Sequence, residues 1–103
     1  MAQRIVWTEA AWDDLEATAE YIAKDSRRYA AALVREAKGV ARSLASLSQR
    51  GRVVPELSDP SLRELFVRNH RLIYQVMPDA VYIVGFIHGS RDLWSLWGRE
   101  QRT

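Results

Sequence analysis

"RLIYQVMPDAVYIVGFIH", residues 71–88, decides the fold of this chain. Two apolar runs, 71–77 and 80–88, flank Pro78–Asp79, a pair suited to a tight turn. They therefore read as two strands of a hairpin. Setting Met77 against Ala80 pairs Val76 with Val81, Tyr74 with Ile83 and Leu72 with Gly85 on one face. The other face then pairs Gln75 with Tyr82, Ile73 with Val84 and Arg71 with Phe86, leaving His88 beside the mouth of the hairpin. The first face is apolar apart from Tyr74 and the glycine, so helices should cover it. The second carries Arg71, Gln75, Tyr82 and His88 and is expected to stay partly open, where function would sit.

Working outward, "LRELFV" (62–67) supplies a third strand, and the Pro-punctuated "VVPELSDPS" (53–61) reads as a connector. Upstream, Tyr29, Leu33, Ala37, Val40, Leu44 and Leu47 form a helical stripe, with Gly51 as a natural stop. Asp25 and Ser26 break the preceding helix and can cap this one. That preceding helix runs from about 9 to 24 on Ala11, Leu15, Ala19 and Ile22, with Trp12 on its flank and Thr8 as N-cap. Glu9, Asp13 and Asp14 put negative charge near the positive end of its dipole. So short a connection folds the two helices into an antiparallel hairpin. "QRIVW" (3–7) alternates polar and apolar and reads as a short edge-like strand.

The class is α+β: a short N-terminal strand, a two-helix hairpin, then a three-stranded antiparallel meander completing a small sheet. At 103 residues this is one domain, 1–103, with a core over about 3–93 and a tail over 94–103. The tail is left open between a short C-terminal helix and loose chain.

Hydrophobic content of 48% against 27% charged residues is that of an ordinary globular protein. No apolar run approaches membrane-spanning length, and the N-terminus lacks a signal-peptide pattern, so a cytoplasmic location is expected. Without cysteine there is no disulfide or thiolate chemistry. The net charge of +2 is unevenly spread: residues 1–25 carry −4 and residues 26–54 carry +6. The basic second helix would lie beside the acidic first one. Its arginines read more naturally as an intramolecular complement and solvated face than as a nucleic-acid stripe.

Metal and cofactor chemistry find no support. His70 and His88 are the only histidines, and no H-x-x-H, phosphate loop or nucleophile elbow is present. What remains is Arg63, Arg68, Arg71, His88 and Arg91 near strand ends. Arginines there can neutralise a phosphoryl group while a histidine or tyrosine moves a proton. The same residues equally suit hydrogen-bonded strand ends, with Asp92 pairing an arginine. Trp94 and Trp97 can pack on their own core or anchor a partner.

As a set, "GRVVPEL" (51–57), "LREL" (62–65), "RLIYQV" (71–76), "VYIVGFIHG" (81–89) and "HGSRDL" (88–93) resemble the RelE/ParE superfamily of type II toxin–antitoxin toxins, most of all its ParE branch. The resemblance covers roughly residues 4–93. It implies a toxin that stops bacterial growth by binding DNA gyrase, neutralised by a cognate antitoxin in a hetero-oligomer. Target-binding candidates are then Arg63, Arg68, Arg71, Tyr82, His88 and Arg91. Antitoxin-binding candidates are Trp12, Trp94 and Trp97. RelE-like relatives instead cut messenger RNA on the ribosome, which here would fall to Arg71, His88 and Arg91. Their C-terminal tyrosine has no counterpart, since its position falls near Trp97 and no tyrosine follows Tyr82. A non-toxic antitoxin binder is the third alternative.

Overall fold

The computed structural model describes residues 2–90; Arg91, Trp94 and Trp97, and with them the C-terminal tail, lie outside the described residues. The element order is β1 (Arg4–Trp7), α1 (Glu9–Ala23), α2 (Arg27–Ser43), β2 (Arg52–Val53), β3 (Leu62–Val67), β4 (His70–Val76) and β5 (Ala80–His88). The sheet has five strands in the order β1-β5-β4-β3-β2, with β1 parallel to β5 and the others antiparallel. The α+β class holds.

Both helices start where capping chemistry dictates. Thr8 Oγ1 accepts the Ala11 N–H at 3.2 Å, and Ser26 Oγ accepts the Tyr29 N–H at 3.0 Å. Thr8 also ties α1 to the sheet, because its backbone N–H and its hydroxyl both donate to the Ile83 carbonyl, at 3.0 and 2.8 Å. Ala11 and Leu15 of α1 and Leu33, Ala37 and Ala41 of α2 close over Leu72, Tyr74, Val81, Ile83 and Phe86.

The structure revises the sequence reading in four places. Gly51 does not stop α2, which ends at Ser43 with Leu44 as C-cap. Instead Gly51 lets the chain run against β3: a Cβ there would stand 2.5 Å from the Glu64 carbonyl oxygen and 2.6 Å from the Tyr74 hydroxyl. Second, the connector begins with a two-residue strand, β2, paired with Glu64 and Arg63. Third, the β4–β5 register holds at Val76–Val81, Gln75–Tyr82 and Tyr74–Ile83, then slips at an irregularity between Ile73 and Tyr74. Beyond it Ile73 faces Gly85, Leu72 faces Phe86, Arg71 faces Ile87 and His70 faces His88. The unpaired residue is Val84, as in a bulge that reverses side-chain direction along one strand. Phe86 and His88 thereby turn to the helical face. Fourth, the second face is not open. The connector folds back so that its Val54 and Leu57 pack with Leu62 of β3 against Ile73, Ile87 and Val84.

Candidate functional site

The slipped register builds a rim where β3, β4 and β5 end. Arg68 and Asn69 form the two-residue link between β3 and β4. Arg68 sits at φ 56°, a left-handed conformation that costs a side-chain-bearing residue roughly 1–2 kcal/mol. Its side chain is held while it does so. The guanidinium lies 4.5 Å over the Tyr29 ring, and Nε donates to Glu36 at 2.9 Å. Tyr29 first, then Glu36, hold its pKa above the ordinary arginine value.

Next along the chain, His70 stands opposite His88. The Gly89 N–H donates to the Asn69 carbonyl at 2.8 Å, which marks this as a non-hydrogen-bonded pair, the closer of the two antiparallel kinds. The imidazoles meet edge to face at 5.4 Å, and His70 stacks on Phe86 at 5.1 Å. Burial, and then the neighbouring His88, push the His70 pKa down. His88 is exposed; its Nδ1 contacts the Ser90 hydroxyl at 2.8 Å and accepts the Ser90 N–H at 3.2 Å.

Arg71 lies on the other side of the sheet from this pair. It is 4% exposed, and its nitrogens are spread over two carboxylates. Nη1 and Nη2 grip Glu56 at 2.7 and 2.8 Å, while Nε and Nη2 reach Glu64 at 2.6 Å. Glu64 is 1% exposed, and its second oxygen takes Arg52 at 2.6 Å. Two arginines and two glutamates thus form a neutral chain that staples the connector to the sheet. The Arg71 hydrogen bond holds the Glu56 carboxyl below its ordinary pKa, against a smaller opposing effect of burial.

The remaining candidates lie at the opposite end. Arg63, on the helical face, donates to the Gly51 carbonyl at 2.7 Å. Tyr74 braces the same loop: its hydroxyl donates to the Ser48 carbonyl at 3.0 Å and accepts the Gly51 N–H at 2.8 Å. Tyr82 donates to Asp79 at 2.8 Å beside the β4–β5 turn. Six residues of strand separate Tyr82 from His88, a span of about 20 Å. The structure therefore brings Arg68 and His88 to one rim and places Arg63 and Tyr82 far from it. Arg71 is near in sequence but turned to the opposite face.

Trp12, the described antitoxin-binding candidate, is half-buried. It meets Trp7 of β1 edge to face at 5.7 Å, and Lys38 Nζ lies 5.0 Å from its ring. This aromatic pair lies where the edge strand passes into α1. Among the described residues no group of three or more metal-ligating side chains gathers, and no helix is long and apolar enough to cross a membrane.

Two features escaped the sequence reading. His70 became His88's partner only through the register slip. Glu64 as the partner of Arg71 was within reach. The two-residue link sets Phe66 opposite Arg71, which puts Glu64 diagonal to Arg71 on the same face.

A family model described as "ParE toxin of type II toxin-antitoxin system, parDE" matches residues 5–93. No curated protein matches the chain. Among solved structures it is similar to one titled "Chromosomal ParDE TA system from P. aeruginosa", at 19% identity and a TM-score of 0.69, covering 84% of this chain and 96% of that one. The edge strand, the helical hairpin and the returning meander are thus a shared fold, and the match across nearly all of it places this chain in the ParE toxin family of type II toxin–antitoxin systems.

Proposed function

We propose that this chain arrests bacterial growth as a single-domain cytoplasmic toxin that binds DNA gyrase, without catalysis of its own, and that a cognate antitoxin neutralises it in a hetero-oligomer. The observation that carries this reading, beside the family, is the burial of Arg71 between Glu56 and Glu64. A nuclease needs a cation free to meet phosphate as charge develops. The Arg71 guanidinium is already neutralised on the far side of the sheet from His88. Arg68, the described arginine of the rim, is committed to Tyr29 and Glu36. Among the described residues, an exposed histidine with no uncommitted arginine beside it suits recognition better than phosphodiester cleavage. The target contacts proposed are His88 at the rim and the exposed part of the Arg68 side chain, whose charge Glu36 already balances, with Arg91 following in sequence. Arg63, Arg71 and Tyr82 support the scaffold that presents them.

The antitoxin is proposed to seat an apolar anchor on Trp12, next to the β1 edge, where an extended segment can add to the sheet. Trp94 and Trp97 remain candidates for the same contact. Truncating a buried anchor costs about 2 kcal/mol or more in binding. Antitoxin affinity is therefore expected to fall for Trp12→Ala, with folding checked separately by circular dichroism.

The deciding experiment measures supercoiling by purified gyrase with toxin alone and with toxin plus antitoxin. Inhibition that antitoxin relieves is expected. Unaffected gyrase at large toxin excess, together with new transcript ends inside translated codons after induction, would sink the proposal in favour of the ribosome-dependent nuclease. Continued growth on induction of the chain alone would point to a non-toxic antitoxin binder.

A further inference from the structure

The outer face of α2 carries a row of exposed arginines. Leu33, Ala37 and Ala41 are buried against the sheet. At 3.6 residues per turn, Arg28, Arg35 and Arg42 fall roughly half a turn away from them. All three are exposed, and none takes part in an ion pair among the described residues. Glu36, the one acid of this helix, is turned to Arg68 instead. The expected neutralisation by α1 does not reach this row. Seven-residue spacing at 1.5 Å per residue sets the three arginines about 10.5 Å apart along a straight line.

A second observation points to a ligand. Gly39 lies on the same outer face, inside a helix that glycine weakens relative to alanine. Nothing described in the chain needs its missing side chain, because a Cβ there would meet only Arg42 Nη2, at 3.8 Å. A glycine there leaves the helix backbone open to close approach. Ala31 and Ala32 keep the surface low on either side of the arginine row.

We propose that this face of α2 is a binding site for the sugar–phosphate backbone of duplex DNA, read without regard to sequence. An unpaired arginine row beside an open stretch of helix backbone favours phosphate contacts. An acidic protein partner would need a desolvated aromatic or aliphatic anchor at the centre of its contact. Among the described residues, the exposed large hydrophobic side chains are Tyr21, Tyr29, Leu47, Val53, Phe66 and Met77. Only Tyr29 belongs to α2, and its ring is covered by Arg68. The site is independent of the gyrase reading, and its measurement involves neither gyrase nor antitoxin.

The test is fluorescence anisotropy of a labelled 30-base-pair duplex of arbitrary sequence, titrated with the full chain. Three neutralised phosphates give a log–log salt slope of about −2.7, so affinity should fall about 40-fold between 50 and 200 mM salt. Arg28→Gln/Arg35→Gln/Arg42→Gln should lose at least about 10-fold in affinity at low salt and most of that slope. Arg4→Gln/Lys24→Gln, which removes charge elsewhere, should stay within about 2-fold of the parent. Gly39→Gln should melt higher than the parent yet bind the duplex several-fold more weakly. Full duplex affinity in either α2 variant, with circular dichroism showing native helix content, overturns the proposal. So does tighter binding to polyglutamate than to the duplex, which would assign the face to an acidic protein.

Discussion

On one side of the sheet, Leu72, Tyr74, Val81, Ile83 and Phe86 are roofed by two helices, with apolar contacts throughout. On the other, Ile73, Val84 and Ile87 are roofed by a short connector carrying Val54 and Leu57. Hydrophobic burial is the main hold on the first cover, since two amphipathic helices bring a continuous stripe of side chains. A few polar ties, such as Thr8 to the Ile83 carbonyl, lie at its margins. The second cover is too short to bring enough apolar surface. Its position is fixed by the Glu56–Arg71–Glu64–Arg52 chain, and directional ionic contacts specify where a short segment lies. The same network buries Arg71 and pairs its guanidinium with two carboxylates. One sheet thus shows two solutions to burial, and the one that uses fewer residues relies on buried charge.

The sharpest break in this comparison comes from the helical face. Phe86→Ala should cost about 3–5 kcal/mol of unfolding free energy in a urea titration, with the melting temperature falling accordingly. It also removes the surface on which His70 stacks, so histidine resonances at the rim should shift together.

Arg71→Met tests the ionic face at a comparable but smaller scale. Leaving Glu64 buried without Arg71 should cost about 3 kcal/mol. Arg52 still reaches Glu64, which tempers the loss. Combining Arg71→Met with Glu64→Met and Glu56→Gln should restore much of that stability, because well-packed apolar replacement of buried ions is often neutral. Failure of the combined variant to recover would show that the charges specify the connector position rather than merely tolerating burial.

Glu56→Gln is the milder probe, at about 1 kcal/mol, since its carboxylate is partly solvated. Its pKa is depressed in the fold by Arg71. Its contribution is therefore fully present above the unfolded value of about 4.3 and lost as pH falls through the lower folded value. Urea titrations in acid should show a shallower loss in the variant than in the parent.

The smallest effect belongs to His70. Its folded pKa is depressed by burial and by His88, so the unfolded chain takes up a proton first, near pH 6.5. Stability is full above that pH and declines as pH falls below it. His70→Phe keeps the stack on Phe86 and should flatten the stability profile between about pH 5 and 7. An unchanged slope would mean that another group titrates there.

Every element except β2 is legible in the sequence by itself, though the end of α2 is not, and so is the side of the sheet that the helices cover. Thr8 and Ser26 announce helix starts through their hydroxyls, and the short apolar runs 71–77 and 80–88 on either side of Pro78–Asp79 announce strands, because these signals are local. The cross-strand pairs nearest the 78–79 turn follow for the same reason. Only the tertiary structure decided the rest. A single unpaired residue at Val84 reversed the direction of Phe86 and His88, and its position depends on how β5 meets its neighbours and α1. Asp14 of α1, 72 residues away, accepts the Phe86 N–H at 3.3 Å just past that bulge. Glu56 found Arg71 across 15 residues of chain for a similar reason: a connector has no period, and its course is set by the charge and apolar surface it meets when the sheet is already formed.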